Sequence, residues 1–436
     1  MSFMEKRNKT DNGRYNTADW LIFALLLIGY AVLTFTLFYR QTLGNPGYYH
    51  SDMKAYILEM QGLESGYSFP YPLFFKLGAF FHLFIKSPEL SIAVAVTLLN
   101  SLSPVVMKWS MNRLLFKECG LENGREGIAG LSGNAALAGS GQKQGRKRLA
   151  LGGLITVCVF VMLFVSMVFP PRGIYLPGIK NNYVGVFTPN PHHNATYNAT
   201  RPFAIAVFFL FPVILDEYEK KINWKHNIIF AVFLLLTTMT KPSFTFVMVP
   251  TAGLIMLYRI FKSKFKNFIP SVQLGICFIP TFIALLYQFF GVFVPTGDEE
   301  GGIGFGFAEV WKERCDNIPL AIGLALGFPI LVLIFNRKDL KKDTRYRFSW
   351  QMMLVSMAEL LCMYEKGFRK HDMNFSWGYM HGLFFAFVGA MLVLIRRTWK
   401  REGNGWLTAA QWLACGWHLA CGIYYFYGIF QGQLYY

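Results

Sequence analysis

Long apolar runs separated by short basic ones constrain this chain more than any other feature. The runs fall at residues 20–39, 90–116, 149–169, 202–215, 227–240, 243–258, 268–294, 318–335, 348–364, 377–395 and 406–430. A helix of about 20 apolar residues crosses the hydrocarbon core of a bilayer, so the pattern predicts about eleven spans. A hydrophobic fraction of 54% with only 15% charged residues fits such a bundle and exceeds what a soluble domain carries. The expected fold class is therefore all-α, a multi-pass transmembrane helical bundle in which residues 1–436 form a single integral-membrane domain.

The net charge of +17 belongs to the same architecture. Lys and Arg cluster in the N-terminus and in segments 143–148, 220–225, 259–266, 337–347 and 396–401, which alternate along the chain and so fall on one side of a membrane. Cytoplasmic loops carry the excess of basic residues, which predicts a cytoplasmic N-terminus and an outer C-terminus in a cell membrane. The membrane accounts for the charge, and nucleic acid is not expected as a partner. The run at 20–39 is longer than a signal-peptide core and lacks a small-residue cleavage site, so it reads as a retained span. Residues 227–258 have basic clusters at both ends and must turn at Lys241-Pro242-Ser243, which makes them a hairpin. The Gly-, Ala- and Ser-rich stretch 117–148 reads as a flexible cytoplasmic linker with a basic end. Seven scattered cysteines, without CxxC spacing, indicate neither a disulfide framework nor a zinc site.

Four outer loops remain, at 40–89, 170–201, 295–317 and 365–376. The first carries Asp52 just beyond the first span, then Tyr56 and Tyr71, and an aromatic run at 72–84 that suits a helix lying in the membrane interface. An acidic residue in so long a loop is a candidate for chemistry at the membrane surface. The second loop holds Arg172, Lys180, His192, His193 and Arg201 among asparagines and no carboxylate. That composition suits an anion such as phosphate, or simply a solvated polar loop. His192 and His193 could alternatively hold a divalent metal with Asp52. Lys241, inside an apolar hairpin, is costly unless it is used or snorkels to the interface. The third loop is acidic and Gly-rich (Asp298, Glu299, Glu300) and reads as mobile. In the fourth, Arg369 could clamp phosphate, Asn374 could bond substrate, and Trp377 could stack on a sugar or anchor its helix. Asn194, Asn198 and Asn374 begin glycosylation sequons on this side, which matter only in a eukaryotic secretory membrane; the composition favours a bacterial one.

Asp52 in a long first outer loop, Gly62 and Tyr71-Pro72 leading to an interfacial helix, and Thr240-Lys241-Pro242 at the turn of a hairpin resemble the C-type glycosyltransferase (GT-C) superfamily of multi-pass, polyprenyl-phosphate-sugar-dependent enzymes. The resemblance implies a sugar donor linked to a lipid phosphate or diphosphate, and a catalytic role for Asp52 as the base that activates an acceptor. Lys241, Arg201 and Arg369, with His192 or His193, would stabilise the donor phosphate, and Tyr56, Tyr71, Asn374 and Trp377 would line the substrate. The acceptor would be a glycan, a lipid or a small protein-borne group, with membrane lipids as further partners. Many members of the superfamily have a second acidic residue beside the first, whereas here Asp52 stands alone until Glu59. No cofactor is expected, with a divalent metal as the open alternative. A lipid-linked saccharide transporter or flippase, a glycan polymerase, or a membrane scaffold without chemistry are the rival readings. They differ in whether Asp52, Lys241, Arg201 and Arg369 meet.

Overall fold

The structure is a computed structural model that describes residues 3–121, 134–169, 188–292 and 301–433. The chain runs through α1 (Phe3–Thr42), α2 (Met53–Gln61), α3 (Leu73–Ile85), α4 (Pro88–Glu118), α5 (Asn134–Phe164), α6 (Ala195–Glu217), α7 (Trp224–Thr240) and α8 (Ser243–Lys262). It continues through α9 (Phe268–Ile276), α10 (Ile279–Val292), β1 (Gly302–Phe305), α11 (Ile318–Phe335), α12 (Arg337–Lys342), α13 (Thr344–Cys362), β2 (Met363–Lys366), α14 (Phe375–Lys400) and α15 (Gly405–Phe430). Among the described residues, eight helices are long and apolar enough to cross a membrane. The pair α9–α10, bent by 52° at its break, makes a ninth if it counts as one span. Of the expected segments, 227–240 falls in α7, at 17 residues short of that length, and 348–364 falls largely in α13, which carries several polar and charged residues.

Helix α14 is the axis of the bundle, its apolar window wholly buried, while α1, α11 and α15 turn most of theirs outward. Leu25, Ile28, Leu413 and Trp417 stand exposed, and a surface this apolar is stable facing acyl chains rather than water. Small residues let α13 and α14 approach closely. A Cβ at Gly382 would overlap the side chain of Ser356, and one at Gly389 would overlap that of Ser349. Phe208 stacks on Phe385 with ring centroids 4.4 Å apart, which packs α6 on the same axis.

Charge is segregated between the two ends. Arg396 reaches Asp343 at 2.9 Å and Glu118 and Asp339 at 3.5 Å, Arg259 reaches Glu219 at 3.2 Å, and Thr344 donates to Asp216 at 2.9 Å. The basic segments 220–225, 259–266, 337–347 and 396–401 thus gather at one end of the bundle. Asp52, the Lys241 turn and the start of α14 lie at the other.

Three segments differ from expectation. Residues 134–148, expected as linker, are helical and continue into α5, because Ala, Leu, Gln, Lys and Arg outweigh the glycines among them. Residues 195–201, expected as loop, form the first turns of α6, since Asn194 caps that helix by accepting from the Tyr197 backbone N–H at 2.9 Å. In the segment 295–317, expected as a mobile outer loop, β1 pairs antiparallel with β2, joining it to the segment 365–376. Arg172, Lys180, Asp298, Glu299 and Glu300 lie outside the described residues. The aromatic run 72–84 is helical, as α3.

Candidate functional site

Asp52 stands at the start of α2, where its backbone carbonyl accepts from the Tyr56 N–H at 3.0 Å while its side chain takes no part in capping. The loop before it is pinned from both sides. Tyr49, at φ +54°, donates its N–H to the Gly432 carbonyl at 3.1 Å, Arg40 donates to the Phe430 carbonyl at 3.1 Å, and Gln41 donates to the His192 carbonyl at 3.2 Å. Asp52 Oδ2 accepts from the Tyr56 hydroxyl at 3.1 Å and from Asn194 Nδ2 at 2.9 Å. The carboxylate is exposed, and none of the hydrogen bonds among the described residues engages its Oδ1. One oxygen is held while the other has no such partner, in a residue that is exposed, a disposition that suits a proton acceptor.

Tyr56 is buried on the aromatic cluster of Phe69, Phe74 and Phe75, and its hydroxyl also meets Thr196 Oγ1 at 3.2 Å. Burial, with the Asp52 carboxylate beside it, pushes this phenol well above its ordinary value, so it remains a donor to Asp52. Tyr71 packs on Phe69 and Phe75 and is nearly closed off, although it feels the charges of Arg369, Asp52 and Glu365.

Lys241 lies in the turn between α7 and α8 with only 7% of its surface exposed. Its Nζ donates to Asn194 Oδ1 at 3.3 Å and Thr196 Oγ1 at 3.2 Å, and sits 4.3 Å from the centre of the Trp377 ring. Asn194 therefore bridges the two charged groups, its Nδ2 toward Asp52 and its Oδ1 toward Lys241. Burial lowers the ammonium to about 8, with Asp52 acting in the opposite sense. Lys241 also feels the charges of Arg369 and Glu365, from the segment 365–376.

Arg369 does not stand free there. Its Nε lies 3.4 Å from Glu365 and 3.9 Å from Asp372, and Asn374, expected to bond substrate, donates to Glu365 instead. Burial raises the Glu365 carboxyl, and Arg369 and Asn374 oppose that rise. The guanidinium thus enters the cluster with its counter-ion attached.

The structure does not bring Arg201 to this cluster. Asn194, Asn198 and Arg201 follow one face of α6, and Arg201 lies seven residues beyond Asn194, about 10 Å further along the helix axis. It is fully buried and donates to Asn190 at 2.5 Å, Asn100 at 2.9 Å and Asn198 at 2.6 Å, beside the Phe384 ring. Asn190 in turn donates to the carbonyls of Met162 and Val165. Arg201 is the centre of a polar knot joining α4, α5 and α6. His192 packs between Phe164 and Phe426, and His193 lies 3.3 Å from the Tyr425 hydroxyl with its ring near Trp377. Burial pushes both imidazoles down to about 3, so at neutral pH neither adds positive charge for a phosphate. Trp377 is half-buried under Lys241.

Asn194 and Thr196 were not singled out as site residues by the sequence, although Asn194 directly before a helical run has the form of a helix cap. Glu365 had no distinguishing signal, because its partner Arg369 could be read only as a free cation. Among the described residues, no three His, Cys, Asp or Glu side chains gather as ligands for a metal. No protein-family model matches the chain, and neither a curated protein nor a solved structure matches it.

Proposed function

We propose that this protein is a membrane glycosyltransferase of the GT-C type that moves a sugar from a polyprenyl-phosphate or diphosphate donor to an acceptor hydroxyl at the outer face of a cell membrane. The reading is carried by one observation, the meeting of Asp52 and Lys241 across Asn194 and Thr196, with Trp377 against the ammonium. If α7, α13 and the bent pair α9–α10 also cross the bilayer, the spans number eleven. The basic end is then cytoplasmic, and the Asp52 end and the C-terminus face outward.

In this reading Asp52 Oδ1 takes the proton of the acceptor hydroxyl as its oxygen forms a bond to the anomeric carbon. The bond from that carbon to the lipid phosphate breaks on the opposite side, inverting the centre. Charge growing on the departing phosphate is stabilised by the Lys241 ammonium, in a setting where burial makes the interaction strong. Arg369, tied to Glu365, adds to the field without being a free clamp. Tyr56 and Asn194 hold the base, and Trp377 offers a ring face to a sugar. Arg201 stabilises the helix that carries Asn194.

A transporter would place charge at a broken helix. The break between α9 and α10 instead puts Phe278 against Phe230 and Phe211, with centroids 5.2 and 6.4 Å away, which favours the enzyme reading. The test is incubation of the purified protein with a panel of lipid-linked sugars, following release of the lipid phosphate. No release with any donor, under conditions where the protein remains folded, would count against the proposal.

The lowered Lys241 ammonium makes the reaction pH-dependent. Lys241 is protonated below about 8 and neutral above, so its help to the donor phosphate is present at neutral pH and lost as pH rises through that value. The donor KM is expected to rise by up to about tenfold per pH unit above this point, and Lys241→Arg to flatten the rise, because a guanidinium keeps its proton. A donor KM with the same alkaline limb in the Arg variant would remove Lys241 from phosphate binding.

A further inference from the structure

We propose that the end of the bundle opposite Asp52 carries a separate binding site for an anionic phospholipid headgroup. This inference does not rest on the glycosyltransferase reading.

A cavity of about 590 Å³ opens where the ends of α6 and α8 meet the starts of α9 and α13. Its charged lining consists of Arg259, Lys262, Arg347 and Glu219, giving more positive than negative charge. Glu219 is already engaged, accepting from Arg259 at 3.2 Å and from Asn267 at 3.1 Å. Arg347 donates to the carbonyls of Leu340 and Lys341 at 3.4 and 3.1 Å, closing the end of α12, and to Thr344 at 3.3 Å, none of which neutralises its charge. Lys262 forms no ion pair among the described residues; its ammonium lies 5.6 Å from the centre of the Tyr258 ring. Two cations without carboxylate partners, with the Gln351 amide also in the lining, favour a phosphate over a neutral or cationic ligand.

The walls indicate where that phosphate comes from. Ile255 and Leu215 add buried apolar side chains to the lining, and Tyr258, also in the lining, is exposed. On the same helix Leu254, Leu257 and Phe261 are exposed large apolar side chains, a surface suited to acyl chains. A basic recess opening beside such a face fits a headgroup whose tails remain in the bilayer better than a freely soluble anion. The volume lies within the range of sites that enclose small ligands.

The full chain, released from mixed phosphatidylcholine and phosphatidylglycerol membranes, can be tested by native mass spectrometry and thermal melting. Wild type is expected to retain phosphatidylglycerol in preference to phosphatidylcholine and to be stabilised by it. Lys262→Gln leaves the Arg347 and Glu219 contacts in place and is expected to weaken that retention roughly fivefold. Lys225→Gln, which removes an exposed cation at the same end but outside the cavity, is expected to leave it unchanged. Absence of a phosphatidylglycerol preference in wild type, or an equal loss in the Lys225 variant, would overturn the site. Equal stabilisation by inorganic phosphate would overturn the lipid as its ligand.

Discussion

Asp52→Asn is expected to lower sugar transfer by about a hundredfold to ten-thousandfold while the protein stays folded and still binds its donor. The exchange keeps the shape of the side chain and an oxygen that can accept from Tyr56 and Asn194, whose bonds to Oδ2 are 3.1 and 2.9 Å. It removes only the ability to take a proton. Because Asp52 is exposed, melting temperature should change little, and the loss should appear in kcat far more than in donor KM. Tyr56→Phe provides the comparison, since it frees the carboxylate without removing it. It should give a smaller loss in kcat, with donor KM again little changed. Turnover by the Asn variant at wild-type rate would rule out Asp52 as the base.

The second large effect concerns stability and lies at the opposite end. Lys108 is fully buried, and its Nζ donates to both Asp19 oxygens at 2.9 Å, to Thr156 at 2.6 Å and to the Gly152 carbonyl at 3.3 Å. Trp20 and Phe23 present their rings to it at 5.3 and 5.5 Å. The contacts staple α1, α4 and α5 together. Lys108→Met leaves Asp19, 3% exposed, without the ammonium bonded to both of its oxygens, at an expected cost of about 3–5 kcal/mol. Adding Asp19→Leu should recover most of that cost, because the expense comes from an unpaired buried charge rather than from the lost attraction. Thermal melting of the two single variants and the double variant in detergent measures this directly. A double variant no more stable than Lys108→Met would show that the pair itself supplies the stability.

The residues legible in advance share a physical property. Transfer of apolar side chains from water accumulates along a run, so the positions of helices such as α4, α8, α11 and α15 follow from local composition. The break at Lys241-Pro242-Ser243 followed from the basic clusters at both ends of 227–258 with a proline between them; Pro104, Pro250 and Pro329, which sit inside helices, show that proline alone would not have placed it. Alternation of basic segments anticipated that the ends of α6, α8, α12 and α14 would gather, as the Arg396, Arg259 and Thr344 contacts show. Asp52 and Lys241 stood out as candidates in the same way, one as an acidic residue in a long loop and the other as an ionisable residue inside an apolar hairpin.

What a charged side chain faces is a different kind of question. Arg201 and Lys241 looked alike as cations near an outer loop, yet one is enclosed by Asn100, Asn190 and Asn198 and the other bonds Asn194 beside Asp52. Arg369 resembled a phosphate clamp until Glu365, on the other side of a short turn, proved to hold it. The cap at Asn194 moved the start of α6 by two turns and carried Arg201 into the core. By itself the sequence determined which stretches leave water and which groups carry charge, because burial of apolar surface and the charge of a side chain are properties of single residues. Only the tertiary structure decided which charges are neutralised and which are held toward a common place, because a hydrogen bond needs its two atoms within about 3 Å, and helices far apart in the chain set that distance.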